Sequence, residues 1–88
     1  MRLPWRRRHV VTVFTRDGCG LCREAEQLVS IEARGHDVQR VDVDSDEDLQ
    51  RRYNIRVPVV AVDGEEIAEG RLAPGAVRAA LRAAGRTP

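Results

Sequence analysis

Val10-Val11-Thr12-Val13-Phe14-Thr15-Arg16-Asp17-Gly18-Cys19-Gly20-Leu21-Cys22 is the stretch on which the fold turns. Its first six residues are β-branched and nearly continuously apolar, the pattern of a strand covered on both faces. Asp17 to Gly20 break the run. Leu21, Ala25, Leu28, Val29 and Glu32 then recur at helical spacing, apolar except for the last, and Gly35 ends that helix. Two cysteines three residues apart therefore stand where a strand gives way to a helix. Backbone N–H groups are unpaired there and the helix dipole is positive, so a thiolate at Cys19 is stabilised. Cys22, one turn on, is close enough to pair with it. Together they allow a two-step exchange, in which one sulfur attacks and the other resolves.

Downstream the elements alternate. Residues 38–44 place Val41 and Val43 against Arg40, Asp42 and Asp44, which predicts an edge strand with one wet face. Ser45 is the expected N-cap of a second helix, with Asp46, Glu47 and Asp48 in its first turn and Arg51 and Arg52 near its last. Pro58 to Val62 reads as a third strand, Asp63-Gly64 as a hairpin turn, and Glu65 to Glu69 as the fourth strand. Pro74 suits a first helical turn. Val77, Ala80, Leu81 and Ala84 form an apolar stripe, and Gly85 closes the last helix. The expected fold is α/β, in the order β-α-β-α-β-β-α. The first two strands are parallel, and the four-stranded mixed sheet is flanked by three helices.

Composition narrows the function. At 88 residues, 42% apolar and 33% charged, the chain is expected to form one globular domain over 9–88, preceded by a basic arm at 1–8. Arg2, Arg6, Arg7 and Arg8 put the positive charge in that arm, and the formal net charge is only +1. That balance points away from nucleic acid, and the arm with Trp5 reads as a solvated end. No apolar run reaches the length of about 18 residues needed for a membrane span. The first residues are charged where a signal peptide is apolar, so the expected location is cytoplasmic, where thiols stay reduced. His9 and His36 belong at the opposite end of the sheet from the cysteines, which leaves no zinc site within one chain and no expected metal. The segment Asp42 to Asp46 imitates the start of a calcium loop. Glu47 stands where the turn glycine should be and Tyr53 where the bidentate acid should be, so it reads as a capped helix.

Residues Val13 to Cys22, with Arg56-Val57-Pro58-Val59-Val60 and the Asp63-Gly64 hairpin, resemble the glutaredoxin branch of the thioredoxin superfamily. Thr-Arg-x-x-Cys-x-Leu-Cys-x-Glu-Ala is similar to the small bacterial glutaredoxin-like proteins, and the likeness runs from residue 9 to about 85. The resemblance implies a thioredoxin-like fold and a thiol–disulfide oxidoreductase with Cys19 as nucleophile and Cys22 as resolving thiol. Pro58 matches the family's cis-proline, and Val57 would meet an extended thiol substrate. Arg16 matches a basic position that holds a glutathione carboxylate, and Gly70 a substrate-binding glycine. The implied partner is a protein disulfide or glutathione, the latter a co-substrate and not a tightly bound cofactor, and the implied state is a monomer. Gly20-Leu21 replaces the usual Pro-Tyr, and Glu69-Gly70-Arg71 matches the family's glutathione-gripping Gly-Gly poorly. The position six before Cys19 is Val13, where thioredoxin proper carries a buried acid. Two alternatives stay open: a non-enzymatic module that binds a partner, and an iron–sulfur cluster held between two chains.

Overall fold

The computed structural model describes residues 8–86. Its elements are β1 (Val10–Thr15), α1 (Gly20–Glu32), β2 (Asp37–Asp42), α2 (Glu47–Tyr53), β3 (Val59–Val62), β4 (Glu65–Glu69) and α3 (Ala76–Arg86). Single turns of 3-10 helix at Val43–Ser45 and Asn54–Arg56 flank α2. The element order is the one expected. The strands lie in the order β2-β1-β3-β4. β1 runs parallel to β2, from Val10 opposite Asp37 to Thr15 opposite Asp42, with α1 as the crossover. β1 runs antiparallel to β3, and β3 pairs with β4 through the expected hairpin. Asp63 and Gly64 both take positive φ, 50° and 88°, the backbone that a tight two-residue hairpin demands. Ala61 pairs with Glu66 and Val60 with Ala68, so Ile67 is the extra residue of a bulge in β4.

Two unequal clusters cover the sheet. Val11 and Val13 of β1 join Ala25, Val29, Ala33, Val60, Val62, Leu72, Val77 and Leu81 in the main core, against α1 and α3. A smaller cluster holds Val43, Tyr53 and Val59, with Phe14, Leu49 and Val57 against it. Phe14 stacks on Tyr53 at 4.2 Å between ring centroids. β1 is therefore not covered equally on both faces, as its composition suggested. Val11, Val13 and Thr15 are buried and Val10, Thr12 and Phe14 only half-buried, because the seven-residue α2 is too short to roof the whole second face.

Several boundaries differ from the expected ones for local reasons. β2 stops at Asp42, whose carboxylate accepts the Asp44 N–H and turns the chain into a 3-10 turn; Val43 stays buried all the same. Asp46, and not Ser45, caps α2, accepting the Leu49 N–H at 3.1 Å, while the Ser45 hydroxyl donates to the Asp42 carbonyl. Pro74 falls ahead of α3, separated from it by Gly75 at φ 88°, and α3 continues through Gly85 to Arg86. The arm expected at 1–8 lies outside the described residues except for Arg8, which pairs with Asp37 at 3.0 Å. Among the described residues no helix is long and apolar enough to cross a membrane.

Gly75, the residue ahead of α3, has no side chain to cap it, and the N-terminus of α3 is held from another helix. The Glu32 carboxylate at the end of α1 accepts N–H bonds from Gly75 at 2.7 Å, Val77 at 3.1 Å and Arg78 at 3.2 Å. Burial works against its charge. The Gly75 and Arg78 N–H groups, the Arg78 charge and the Val77 N–H outweigh that, so the carboxyl titrates below the usual glutamate range. This explains the one acid in an otherwise apolar stripe.

Candidate active site at the C-terminal end of β1

The register of the sheet decides what meets the cysteines. Phe14 faces Val59 across β1 and β3, so the end of β1 lies beside the start of β3, while Thr15 faces Asp42 on the other side. Arg16, the cysteines, the chain after β2 and Pro58 all converge on this end. Gly70, just past β4, joins them: its N–H donates to the Pro58 carbonyl at 2.8 Å, and its φ of 75° suits a residue with no Cβ. The Val57–Pro58 bond is cis. Pro58 is buried and Val57 half-buried.

Cys19 is the N-cap residue of α1. Its backbone is extended, with φ −104° and ψ 116°, and its sulfur accepts the Cys22 N–H at 3.2 Å. The free N–H groups of a helix start thus serve a sulfur, a use open to a thiol or, better, to a thiolate. Cys19 is half-exposed, whereas Cys22 is completely buried, and both are free thiols. The Cys22 thiol lies beside the Cys19 sulfur and Thr15. Burial pushes the Cys22 thiol up and the neighbouring Cys19 sulfur pushes it further; the Thr15 hydroxyl and the Arg16 backbone N–H pull partly back. One sulfur faces solvent and the other waits behind it. That asymmetry is what a two-step exchange needs.

Arg16 stands beside the pair, but its guanidinium is engaged. Nε and Nη2 donate to the two Asp44 carboxylate oxygens at 3.0 and 3.1 Å, and Nη1 to the Asn54 carbonyl at 3.1 Å. The Asp44 hydrogen bond raises Arg16, and Arg16 in turn lowers the Asp44 carboxyl. Two further cations of this end are paired as well, Arg56 with Glu66 and Glu69 and Arg71 with Glu24. The calcium-like segment is accounted for in the same way, its carboxylates serving Arg16, Gln50 and the turn and helix N–H groups. His9 and His36 lie at the other end, with ring centroids 5.5 Å apart and His9 Nδ1 2.7 Å from Asp63. Among the described residues no group of three or more metal-ligating side chains occurs.

The profile of the family described as Glutaredoxin-like domain (DUF836) matches residues 10–82. The chain belongs to this glutaredoxin-like family. Solved structures agree with that membership. The target protein XcR50 from X. campestris is 32% identical, with a TM-score of 0.72, covering 89% of this chain and 99% of that one. Protein Ne2328 from Nitrosomonas europaea is 26% identical at a TM-score of 0.70, over 84% of this chain and 92% of the other. A mutant thioredoxin from Halobacterium salinarum is 28% identical at a TM-score of 0.69, over 91% and 77%. No curated protein matches. The glutaredoxin-like protein thus has a thioredoxin-like α/β fold with its two cysteines close together at the start of α1.

Sequence reasoning brought Arg16, Cys19, Cys22, Val57, Pro58 and Gly70 to one end of the sheet, and the structure groups them there. It missed Thr15 and Glu26. Thr15 is wholly buried in contact with Cys22, and its hydroxyl donates to Glu26 at 2.7 Å. A lone threonine closing a β-branched run carries no signal of such a role. It missed Asp44 as well, whose part is legible only once β2 is aligned with β1.

Proposed function

We propose that this glutaredoxin-like protein is a thiol–disulfide oxidoreductase working through Cys19 and Cys22. The observation that carries the reading is the division of labour between the sulfurs: Cys19 half-exposed with an N–H aimed at it, Cys22 buried behind it. In the first step the Cys19 thiolate attacks one sulfur of a substrate disulfide. A Cys19–substrate disulfide forms and the other substrate thiolate leaves. In the second step Cys22, having lost its proton, attacks the Cys19 sulfur. The Cys19–Cys22 disulfide forms and the remaining substrate thiolate departs. The protein dithiol is oxidised and the substrate disulfide reduced to two thiols.

An extended substrate segment would lie along Val57 and Pro58, beside Gly70. Asp44 and Asn54 together take three of the five N–H donors of Arg16 and Asp44 pairs its charge, which supports a protein disulfide as the main substrate, with glutathione a secondary partner. The test is to express Cys22→Ser, which stops the reaction after the first step, and to identify by mass spectrometry what is attached to Cys19. Protein adducts are expected to dominate. Cys19→Ser that still reduces disulfides would end the proposal, and glutathione as the main adduct would reverse the order of substrates.

A further inference from the structure

Arg16 stands between the two sides of the site. It precedes Cys19 by three residues in the loop that leaves β1, and its Nη1 donates at 3.1 Å to the carbonyl of Asn54, three residues ahead of Val57. A guanidinium in that place would draw any disulfide that carries a carboxylate near its sulfurs. Its charge is instead met from within the chain. Nε and Nη2 donate to the two oxygens of Asp44 at 3.0 and 3.1 Å, and the two side chains are only 30% and 42% exposed. We propose that Asp44 is a specificity-determining residue, a built-in counter-ion that turns the site away from small disulfides bearing carboxylates. The role rests on the oxidoreductase reading above and deepens it by naming the residue that selects the substrate.

Asp44 is held for this contact from several directions. Thr15 lies opposite Asp42 in the parallel register of β1 and β2, which brings the loops after the two strands together. The Asp42 carboxylate accepts the Asp44 N–H at 2.9 Å, and the Ser45 hydroxyl closes the same turn on the Asp42 carbonyl at 2.7 Å. Gln50 of α2 donates through Nε2 to Asp44 Oδ1 at 3.3 Å, the oxygen that also accepts from Arg16 Nη2. Turn, glutamine and guanidinium thus fix one carboxylate along one edge of Arg16. The pair of Arg71 and Glu24 is different in kind. It rests on one contact at 3.2 Å between side chains 73% and 60% exposed, and an arriving anion could part it at little cost.

Selection then follows from charge. With Asp44 ionised, the charges of the Arg16 and Asp44 side chains cancel, and the Asp42 carboxylate in the same turn adds a negative charge. Two N–H donors of Arg16 stay open, but a carboxylate that reached them would stand beside Asp44's own, like charge against like. A neutral disulfide meets no such repulsion. Both kinds of substrate otherwise share every step: Cys19 attacks one sulfur and releases the first thiolate, and Cys22 closes the protein disulfide and releases the second. Asp44 touches neither sulfur in those steps; it acts through Arg16.

The test oxidises the whole reduced chain with two disulfides of matched size, hydroxyethyl disulfide, which is neutral, and dithiodipropionate, which is a dianion. Alkylation of the remaining thiols followed by mass spectrometry reads the rate constant with each. The ratio of the dianion rate to the neutral rate is the measure, because any change in Cys19 itself enters both rates and cancels. Asp44→Asn leaves the Arg16 charge unanswered and is expected to raise the ratio by about fivefold at low salt, the scale of an exposed ion pair. Added salt should shrink that gain. Arg16→Gln leaves Asp44 unanswered and should lower the ratio. The double variant carries neither charge, and its ratio should fall within about twofold of the natural one. A ratio unchanged by Asp44→Asn would overturn the proposal, as would a double variant with a ratio as high as Asp44→Asn alone. Circular dichroism checks each fold; should Asp44→Asn fail to fold, a ratio not lowered by Arg16→Gln would overturn it from the other side. Reduction of either disulfide by Cys19→Ser at the natural rate would instead strike the oxidoreductase reading itself.

Discussion

The starts of α1 and α3 pose the same physical problem and solve it with opposite chemistry. Each presents unpaired N–H groups and a positive dipole end. At α3 the answer is a buried carboxylate, Glu32, reaching across from α1 with three N–H bonds. At α1 the answer is the sulfur of Cys19, half-exposed and bound by a single N–H. A carboxylate is a strong, chemically inert acceptor, and it ties two helices together. A thiol is a weaker acceptor that can leave its post to react. The contrast teaches that one kind of helix end serves cohesion or chemistry according to the residue placed at it, and that the two can be separated by mutation.

The largest effect is expected at α1. Cys19→Ser should abolish turnover of any disulfide substrate while leaving the unfolding midpoint close to that of the natural protein, since serine is itself a favoured cap. Parallel activity assays and urea melts check both halves. A large loss of stability would mean that the sulfur is more than a cap.

Next is α3. Glu32→Ala should cost about 3 kcal/mol by urea unfolding, the scale of losing hydrogen bonds to a buried charged group, yet keep exchange activity per folded molecule. Acid should reveal the same bond. The folded-state carboxyl titrates below its unfolded value, so its stabilisation is complete above the ordinary glutamate range and is lost as pH falls through the lowered value. Stability curves of the natural protein and Glu32→Gln should therefore converge in acid and part as pH rises. A gap that stayed constant with pH would show that the charge contributes nothing.

A third measurement sharpens the α1 side. Iodoacetamide should modify Cys19 about tenfold or more faster than Cys22, followed in the single-serine variants, because Cys22 is buried with its thiol pushed up. Equal rates would remove the division of labour. The smallest effect belongs to α2, whose cap is local and exposed: Asp46→Ala should cost about 1 kcal/mol and leave activity untouched.

The same contrast marks what the sequence makes legible. Features written in neighbouring residues are readable: the β-branched run of β1, the Asp63-Gly64 hairpin, the cysteine spacing, and the edge character of β2. Arg16, Cys19, Cys22, Val57, Pro58 and Gly70 are readable because a family resemblance aligns them. Interactions that close over long chain separations are not. Glu32 meets α3 across 43 to 46 residues, and Arg16 meets Asp44 across 28. Glu26 meets Thr15 only 11 residues away, but across two elements whose facing sides no periodicity announces. Ser45 is the cap its residue type predicts, with Asp46 in the first turn; Asp46 takes the role because the serine hydroxyl donates to the Asp42 carbonyl for its own turn.

The hairpin residue Asp63 fastens the far end of β1, accepting the Val10 N–H at 2.9 Å and sitting 2.7 Å from His9 Nδ1. The polypeptide thus reaches the sheet at the pole away from its sulfurs. A bead, dye or fusion partner attached ahead of His9 would grip the molecule by its inert side and leave the exchanging thiols turned toward whatever is presented to them.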